Sequence, residues 1–235
     1  MARLKRSLRE IQLEWPDVDS FPSVAMELIT RNNLNKLPVL VYLQVTRGAA
    51  RRSHAFPSPG TKPTVYAFAR SFKPEKERIL KGIHAILLED TRWARCDIKS
   101  VSLLPNILSF QQAIEAGALE CIFIRDNVIT ECAHSNIFFV IDDELVTHPA
   151  SEKVLAGITR KNVLHLAREA GIKVNETALP LNRLDKITEA FVTNTSYELA
   201  PVISIDNKPV GKGIPGPVTL VLREKFDATI EALRT

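Results

Sequence analysis

Apolar positions in the first third of the chain follow first a helical and then a strand pattern. The segments 3–13 and 20–33 carry apolar residues at helical spacing, and a proline in the first turn of the second segment fits a helix start. The segments 39–46 and 64–70 are rich in β-branched and aromatic residues, which is typical of strands. We therefore predict two helices followed by two strands, which run antiparallel to each other across a polar loop.

A short charged stretch interrupts these patterns. Within 71–77, Pro74 lies among lysines and glutamates, and such a stretch is typical of a linker. We therefore predict two domains, 1–72 and 77–235, joined by a linker at 73–76.

The rest of the chain mixes hairpin and helix patterns. Paired turn residues between apolar runs, at Asp126–Asn127 and Asp142–Asp143, indicate two β-hairpins. The predicted elements are strands at 84–90 and 93–99, a helix at 104–116, hairpins at 120–131 and 136–147, a helix at 157–171, strands near 172–177, 188–193 and 201–205, and a helix at 217–233. Because strands and helices do not alternate strictly, these elements predict an α+β fold rather than a doubly wound sheet.

The composition is that of an ordinary globular protein. Of the 235 residues, 45% are hydrophobic and 25% are charged, which is enough to bury a sizeable core. The net charge of +4 is a mild surplus, so it favours small anionic ligands over nucleic acid as partners. The chain lacks both an apolar run near the ~20 residues of a membrane span and a secretory signal at its start. We expect no membrane contact and a cytoplasmic location.

The three cysteines, Cys96, Cys121 and Cys132, are too widely spaced to form a CxxC pair. An odd number at such spacing argues against a disulfide framework and against a zinc site.

Five stretches hold polar groups that could do chemistry. Lys99 ends a predicted strand, Glu131 ends a hairpin arm, Gly-Ile-Thr at 157–159 opens a helix, Thr-Asn-Thr-Ser at 193–196 ends a strand, and Arg-Arg-Ser-His at 51–54 lies in a loop. Each has an ordinary explanation as a solvated charge, a turn residue or a helix cap.

Taken together, the five stretches suggest pyridoxal phosphate chemistry on amino acids. A lysine can form an imine with an aldehyde, and a carboxylate can keep a pyridine nitrogen protonated. A helix start next to a hydroxyl-rich loop can bind a phosphate through backbone N–H groups. An arginine and a histidine on one loop can bind a substrate carboxylate. From composition and spacing alone this combination is only a suggestion.

Several stretches resemble the fold-type IV pyridoxal phosphate enzymes, the class IV aminotransferase family. They are RCDIKS, PNILSFQQAIEAGALECIFIRDNVITE, SNIFFV, THPASEKVLAGITR and AFVTNTSYELAPVISID. The stretch YLQVTRGAARRSHAFP resembles the substrate loop of the family members that act on D-amino acids. Branched-chain aminotransferases share the fold, but their lysine region differs from RCDIKS. The resemblance implies a small N-terminal α/β domain, a larger α+β pseudobarrel domain, a homodimer, and pyridoxal 5′-phosphate as the cofactor.

The resemblance also assigns roles to single residues. Lys99 matches the lysine that binds the cofactor as an imine and moves the substrate proton, which makes it the expected catalytic residue. Arg52 and His54 match the pair that binds the substrate carboxylate. The expected cofactor-binding residues are Arg3, Lys99, Glu131, Ser135, Asn136, Leu155, Ile158, Thr159, Asn194 and Thr195.

Within this set, Glu131 matches the acid that pairs with the pyridine nitrogen, and Leu155 matches the residue that packs on the ring. Ile158 and Thr159 match the phosphate-binding helix start, and Thr195 matches the second phosphate loop. Arg3 lies in a stretch that resembles the family helix whose arginine binds the phosphate.

The chain departs from the family pattern in two places. After Glu131 the family commonly has a run of Gly and Ser, whereas this chain has Cys132, Ala133, His134 and Ser135. The family also has a stretch of roughly 45 residues before the position of Met1, including strands whose loss would leave a sheet edge unpaired. A tyrosine of the carboxylate site lies in that stretch. We expect this chain to be shortened, or its start codon to be misplaced.

The resemblance implies a transamination between a D-amino acid, such as D-alanine, and a 2-oxo acid, such as 2-oxoglutarate, with ping-pong kinetics. Two alternatives stay open at this point. One is an aminodeoxychorismate lyase-like or (R)-amine transaminase activity on the same fold. The other is an inactive relative that lacks the N-terminal stretch.

Overall fold

The computed structural model describes residues 1–36, 38–73 and 75–233. The chain divides into two compact units, Met1–Pro74 and Glu75–Thr235. The described residues contain helices α1 (Ala2–Glu10), α2 (Phe21–Arg31), α3 (Lys76–Leu80), α4 (Leu104–Glu115), α5 (Ile158–Glu169) and α6 (Pro217–Ala232). They also contain strands β1 (Val39–Thr46), β2 (Thr64–Ser71), β3 (Ile83–Glu89), β4 (Glu120–Arg125), β5 (Val128–Cys132), β6 (Asn136–Ile141), β7 (Glu144–Val146), β8 (Lys173–Asn175), β9 (Glu189–Asn194), β10 (Glu198–Ile205) and β11 (Lys208–Pro209). Short 3-10 helices lie at Pro16–Ser20 and Leu181–Lys186.

The first unit consists of α1, α2 and an antiparallel pair of strands. β1 and β2 pair from Val39 opposite Ser71 to Thr46 opposite Thr64, as predicted from their β-branched composition. Helix α2 packs on β2. The loop between the strands is held by Arg47, which donates to the backbone carbonyls of Ile11 and Gln12.

The second unit is built on one mixed sheet. Its strands lie in the order β5-β4-β3-β10-β9-β6-β7-β8, and β11 pairs with β10. The pairs β3–β4, β3–β10 and β7–β8 are parallel, and the other pairs are antiparallel. One apolar cluster contains Ile122, Phe139 and Val192, and another contains Phe138, Phe191 and side chains of α5 and α6. Alternating residues of β6 and β9 therefore pack on opposite faces of the sheet, and the predicted α+β class is confirmed.

Tight turns close the antiparallel pairs at the predicted positions. Both residues of Asp126–Asn127 and of Asp142–Asp143 have positive φ, between 50° and 60°, which a two-residue hairpin loop needs. A third turn of this kind, at Asp206–Asn207, joins β10 to β11 and was not predicted. Its signal was present, since Asp-Asn there also separates an apolar run from a short polar one.

The strand predicted at 93–99 is wrong, so Lys99 does not end a strand. The segment forms turns instead, in which the Ile98 N–H bonds back to the Arg95 carbonyl. The Cys96 N–H bonds to the carbonyl of Glu152, in a loop and not in a ladder. These bonds use the backbone groups that a strand would need for its neighbour. Helix α3, which begins at Lys76, was also not predicted.

Candidate active site

Glu131 lies at the end of β5 with its side chain buried among hydrogen-bond donors. Its Oε1 accepts from Nη1 of Arg92 at 2.6 Å, and its Oε2 accepts from Nδ2 of Asn136 at 2.9 Å. The backbone N–H of Leu155 approaches both carboxylate oxygens, at 3.2 and 3.1 Å. Burial raises the pKa of Glu131 to about 7, against the opposing effects of the Arg92 charge and of these hydrogen bonds.

Arg92 belongs to a buried network of alternating charges. Its guanidinium makes a bidentate contact with Asp90, through Nε to Oδ1 at 2.8 Å and Nη2 to Oδ2 at 2.9 Å. Arg125 approaches Asp90 at 3.0 Å, and the Thr130 hydroxyl donates to Asp90 at 3.3 Å. Burial works to raise the pKa of Asp90, but its bonds to Arg92 outweigh burial and hold the pKa below the usual value. The network therefore fixes the guanidinium that binds Glu131.

Asn136 connects Glu131 to the loop before α5. Its Nδ2 also donates to the carbonyl of Leu155 at 2.9 Å. Gly157 passes so close to this amide that a Cβ there would come within 2.1 Å of the Asn136 Oδ1. A glycine is therefore required at the entrance to α5 for reasons of space.

The N-terminus of α5 is open to a ligand. Gly157 precedes the helix in an extended conformation, and among the described residues no side chain caps it. An uncapped helix start offers several backbone N–H donors to an anion. The hydroxyl of Thr159 donates to the carbonyl of Asn194 at 3.3 Å, so the helix start is joined to the end of β9.

A polar loop after β9 completes this part of the site. The Oδ1 of Asn194 accepts from the N–H groups of Ser196 and Tyr197, and its Nδ2 donates to the hydroxyl of Ser135 at 2.8 Å. Thr195 lies exposed at the start of this loop. Two sets of hydrogen bonds thus join predicted cofactor-binding residues. One joins Glu131, Asn136 and Leu155, and the other joins Ser135, Asn194 and Thr159.

Lys99 lies in an exposed position just after the buried Ile98. The turn before it is anchored through Cys96 to Glu152, three residues before Leu155. In the same loop, Arg92 donates to the Lys153 carbonyl at 3.2 Å. The segment that carries Lys99 is therefore attached to the loop that contacts Glu131.

Ile158 is exposed at the first position of α5, and the other three predicted site residues belong to the first unit. Arg3 lies in α1, and Arg52 and His54 are exposed in the loop between β1 and β2. Their roles at the site stay predictions.

Sequence reasoning missed the charged residues behind Glu131. Asp90 and Arg92 follow β3 directly, and Glu120 begins β4 with its side chain fully buried. A signal was available, because Glu-Asp-Thr-Arg at 89–92 places three charged residues at the end of an apolar strand. Nothing in the spacing revealed that Arg92 would contact Glu131 or that Asp90 would hold Arg92.

Comparison with known proteins identifies the family. The pattern described as "Amino-transferase class IV" matches residues 1–205. The chain belongs to the class IV aminotransferase family. It is 39% identical to a D-alanine aminotransferase of Staphylococcus haemolyticus over 98% of this chain and 81% of that protein. It is 41% identical to a D-alanine aminotransferase of Bacillus licheniformis over 93% of this chain and 77% of that protein.

Solved aminotransferase structures share the fold of the class IV chain. The branched-chain amino acid aminotransferase of Escherichia coli is similar with a TM-score of 0.87 at 27% identity, over 97% of this chain and 77% of that one. The T.th. branched-chain amino acid aminotransferase, complexed with N-(5′-phosphopyridoxyl)-L-glutamate, is similar with a TM-score of 0.83 at 27% identity, over 96% and 75% of the two chains. The predicted fold-type IV architecture is thereby confirmed.

This class IV aminotransferase is an enzyme that depends on pyridoxal 5′-phosphate. The donor set around Glu131 fits the cofactor, because a buried carboxylate held by Arg92 can pair with a pyridine N–H. The uncapped start of α5 fits a phosphate, and a side chain at Gly157 would fill the space beside it. No described helix is long and apolar enough to cross a membrane.

Proposed function

We propose that the chain transfers an amino group between a D-amino acid and a 2-oxo acid. D-Alanine and 2-oxoglutarate would give pyruvate and D-glutamate, so that one amino group and one carbonyl oxygen change places. The observation that carries this proposal is the buried Glu131, held by Arg92, Asn136 and the Leu155 N–H beside the open start of α5. The preference for D-amino acids is supported by the D-alanine aminotransferases at 39% and 41% identity.

Glu131 pairs with the ring nitrogen in this proposal. When bound, the cofactor supplies an electron sink for the pair left on the substrate carbon after its proton is removed. Glu131 must be negative to keep that nitrogen protonated, whereas burial raises its pKa to about 7. Arg92 favours the charged form, and a protonated ring nitrogen adds a second positive partner. The buried acid is thus suited to binding a cation.

The start of α5 and the loop after β9 would hold the cofactor phosphate. Backbone N–H groups of Ile158 and Thr159 are available there, and Thr195 adds a hydroxyl. The bond from Thr159 to the Asn194 carbonyl holds these two parts of the site together. Arg3 is the further positive partner that the resemblance implies.

Lys99 is the acid–base residue. Its Nζ takes the proton from the α-carbon of the amino acid and returns it later in the turnover, so one amine serves in both directions. Its turn is anchored to the loop that contacts Glu131, which limits where the amine can reach.

Arg52 and His54 bind the substrate carboxylate. A guanidinium binds a carboxylate through two parallel hydrogen bonds, so this pair would fix the orientation of the bound amino acid. The D preference then follows from where the carboxylate is held.

The proposed assembly is a homodimer formed through α4. Residues Leu104, Ile107 and Leu108 of this helix are each more than half exposed, and so is Val101 before it. Ala113, on the other face of α4, is packed in a cluster with Phe123. Contiguous apolar surface of this kind marks a protein interface, and a second copy of the chain would cover it.

A coupled assay tests the proposed reaction. The purified protein, with pyridoxal phosphate, is mixed with D-alanine and 2-oxoglutarate, and pyruvate is followed through lactate dehydrogenase. We expect pyruvate from D-alanine and a rate at least tenfold lower from L-alanine. Turnover of L-leucine in place of D-alanine would indicate a branched-chain activity, and release of pyruvate from aminodeoxychorismate would indicate a lyase. Either result would overturn the proposal.

A further inference from the structure

Glu120 and His134 lie next to the phosphate loop without a role in the proposed function. We propose that this pair positions the loop after β9 through Ser135 and Asn194, and so sets the affinity for the cofactor phosphate. The inference rests on the proposed binding of the phosphate at Asn194–Thr195. It concerns a buried acid and a histidine that replaces the small residues typical of the family.

The Glu120 carboxylate is surrounded by donors on both oxygens. Its side chain is fully buried at the first residue of β4. Oε1 accepts from the backbone N–H groups of Cys121 and Ala133, both at 3.1 Å. Oε2 accepts from the hydroxyl of Ser135 at 2.7 Å and lies 3.0 Å from Nδ1 of His134. Such a set of partners is what a buried carboxylate requires.

The carboxylate decides the direction of the hydrogen bonds beyond it. A carboxylate can only accept, so the Ser135 hydroxyl must donate its single proton to Glu120. The lone pairs of that hydroxyl are then left to accept from Nδ2 of Asn194, at 2.8 Å. The Nδ2 of the Asn194 amide is therefore held at Ser135, and its Oδ1 is turned toward the backbone of residues 196 and 197.

The fixed amide arranges the phosphate loop. Oδ1 of Asn194 accepts from the N–H of Ser196 at 2.8 Å and from that of Tyr197 at 2.6 Å. Its backbone carbonyl accepts from Thr159. A chain of polar contacts thus runs from Glu120 through Ser135 and Asn194 to both parts of the phosphate site.

His134 also contacts the loop after β9, through Tyr197. Its ring contacts Tyr197 edge-on, with centroids 5.5 Å apart, and contacts Phe110 of α4 at 4.8 Å. Because a carboxylate oxygen can only accept, Nδ1 of His134 is the donor in this contact, and the ring lies between a carboxylate and two aromatic rings. Substituting His134 therefore removes one donor to Glu120 and one packing partner of Tyr197.

A comparison of pyridoxal 5′-phosphate with pyridoxal separates this role from a general one. The holoenzyme is resolved to the apo-protein, and each compound is titrated while its visible absorbance is followed. In Glu120→Gln and Ser135→Ala we expect about a tenfold rise in the Kd for pyridoxal phosphate, since each change disrupts a charge-assisted hydrogen bond. In His134→Ser we expect a several-fold rise. The Kd for pyridoxal, which has no phosphate, should stay within twofold of the wild-type value in all three variants.

Two controls make the result specific. Ser135→Thr keeps the hydroxyl and should keep most of the wild-type affinity. His165→Ser removes an exposed histidine of α5 that pairs with Glu169 at the surface, and it should change neither Kd. The phosphorus NMR shift of the bound cofactor should move in Glu120→Gln and Ser135→Ala and stay unchanged in His165→Ser.

The inference is overturned if pyridoxal phosphate and pyridoxal lose affinity equally, or if Ser135→Ala leaves both affinities unchanged. Ser135→Ala is a small change and serves as the deciding variant if Glu120→Gln does not fold. A wild-type protein that binds neither compound would overturn the proposed function itself. A wild-type protein that binds both compounds, with variants that do not discriminate between them, overturns only the positioning role.

Discussion

Arg92 donates to Glu131 across 2.6 Å, and both side chains are almost completely withdrawn from solvent. The same guanidinium holds Asp90 through two parallel bonds, so its orientation is fixed from behind. This contact holds a carboxyl group, whose pKa burial raises to about 7, where the cofactor ring nitrogen is proposed to bind. It also makes the stability of the protein depend on protonation of Glu131.

The free energy of unfolding of the apo-protein should fall as the pH rises from 4.5 to about 7. The pKa of Glu131 is raised from its ordinary value of 4.5 to about 7, so the folded protein binds this proton more tightly than the unfolded chain does. The stabilisation is fully present below the ordinary value and is lost as the pH passes the folded value. The loss from this group is about 3 kcal/mol. Urea unfolding at several pH values measures it.

Glu131→Gln is the matched comparison for this pH dependence. The amide has nearly the same shape and no titration, so the difference in slope between the two proteins isolates Glu131. Equal slopes between pH 4.5 and 7 would show that burial does not raise the pKa of this carboxyl.

Substituting Arg92 by Met should be strongly destabilising. The change leaves Glu131 and Asp90 buried with less positive charge, and breaking a buried pair in this way costs about 3–5 kcal/mol. Arg168→Met is the control, because Arg168 pairs with Glu176 at the surface of α5, and an exposed pair is worth at most about 1 kcal/mol. Similar shifts in the urea midpoint for both variants would contradict the buried network.

Gly157→Ala should raise the Kd for pyridoxal phosphate tenfold or more. The reason is overpacking at the site, which costs on the order of 1–3 kcal/mol. The new methyl group would meet the Asn136 Oδ1, and this amide connects Glu131 with Leu155. The Kd for pyridoxal phosphate is the measurement.

Gly117→Ala provides the opposite case. A methyl group at Gly117 would have no neighbour within 4 Å, so the substitution creates no clash. Because Gly117 has a φ of +75° after α4, the substitution should still cost about 1 kcal/mol of stability through backbone strain. Cofactor affinity should be unchanged. Loss of cofactor affinity in Gly117→Ala, or wild-type affinity in Gly157→Ala, would show that the space beside Gly157 does not determine cofactor binding.

Ile107→Asp should convert the proposed dimer into a monomer. A charge in the middle of the exposed apolar face of α4 cannot be buried against a second copy without a partner. Light scattering coupled to size exclusion gives the mass directly. Leu220→Asp, which changes an exposed apolar residue of α6, should leave the mass unchanged. A monomeric wild-type protein would remove the proposed assembly.

Local pattern was sufficient to predict most elements. The boundaries of β1 and the two Asp-containing hairpin turns follow from neighbouring residues alone. The segment at 93–99 was mistaken for a strand because its backbone partner, the Glu152 carbonyl, lies far along the chain.

The site shows the same division. Glu131 and the start of α5 could be selected from resemblance and position, because each lies at the end of an element. The buried partners Arg92, Asp90 and Glu120 could not, because their importance depends on contacts between residues 15 to 40 positions apart.

The central claim is that the amine of Lys99 carries the cofactor. Borohydride reduction of the holoenzyme, followed by digestion and mass spectrometry of the peptides, tests it most directly, because reduction fixes the cofactor on the amine to which it is bound. We predict a phosphopyridoxyl mass increase on the peptide that contains Lys99, and its absence in Lys99→Ala. Modification of another lysine, or an undiminished signal in Lys99→Ala, would contradict the account.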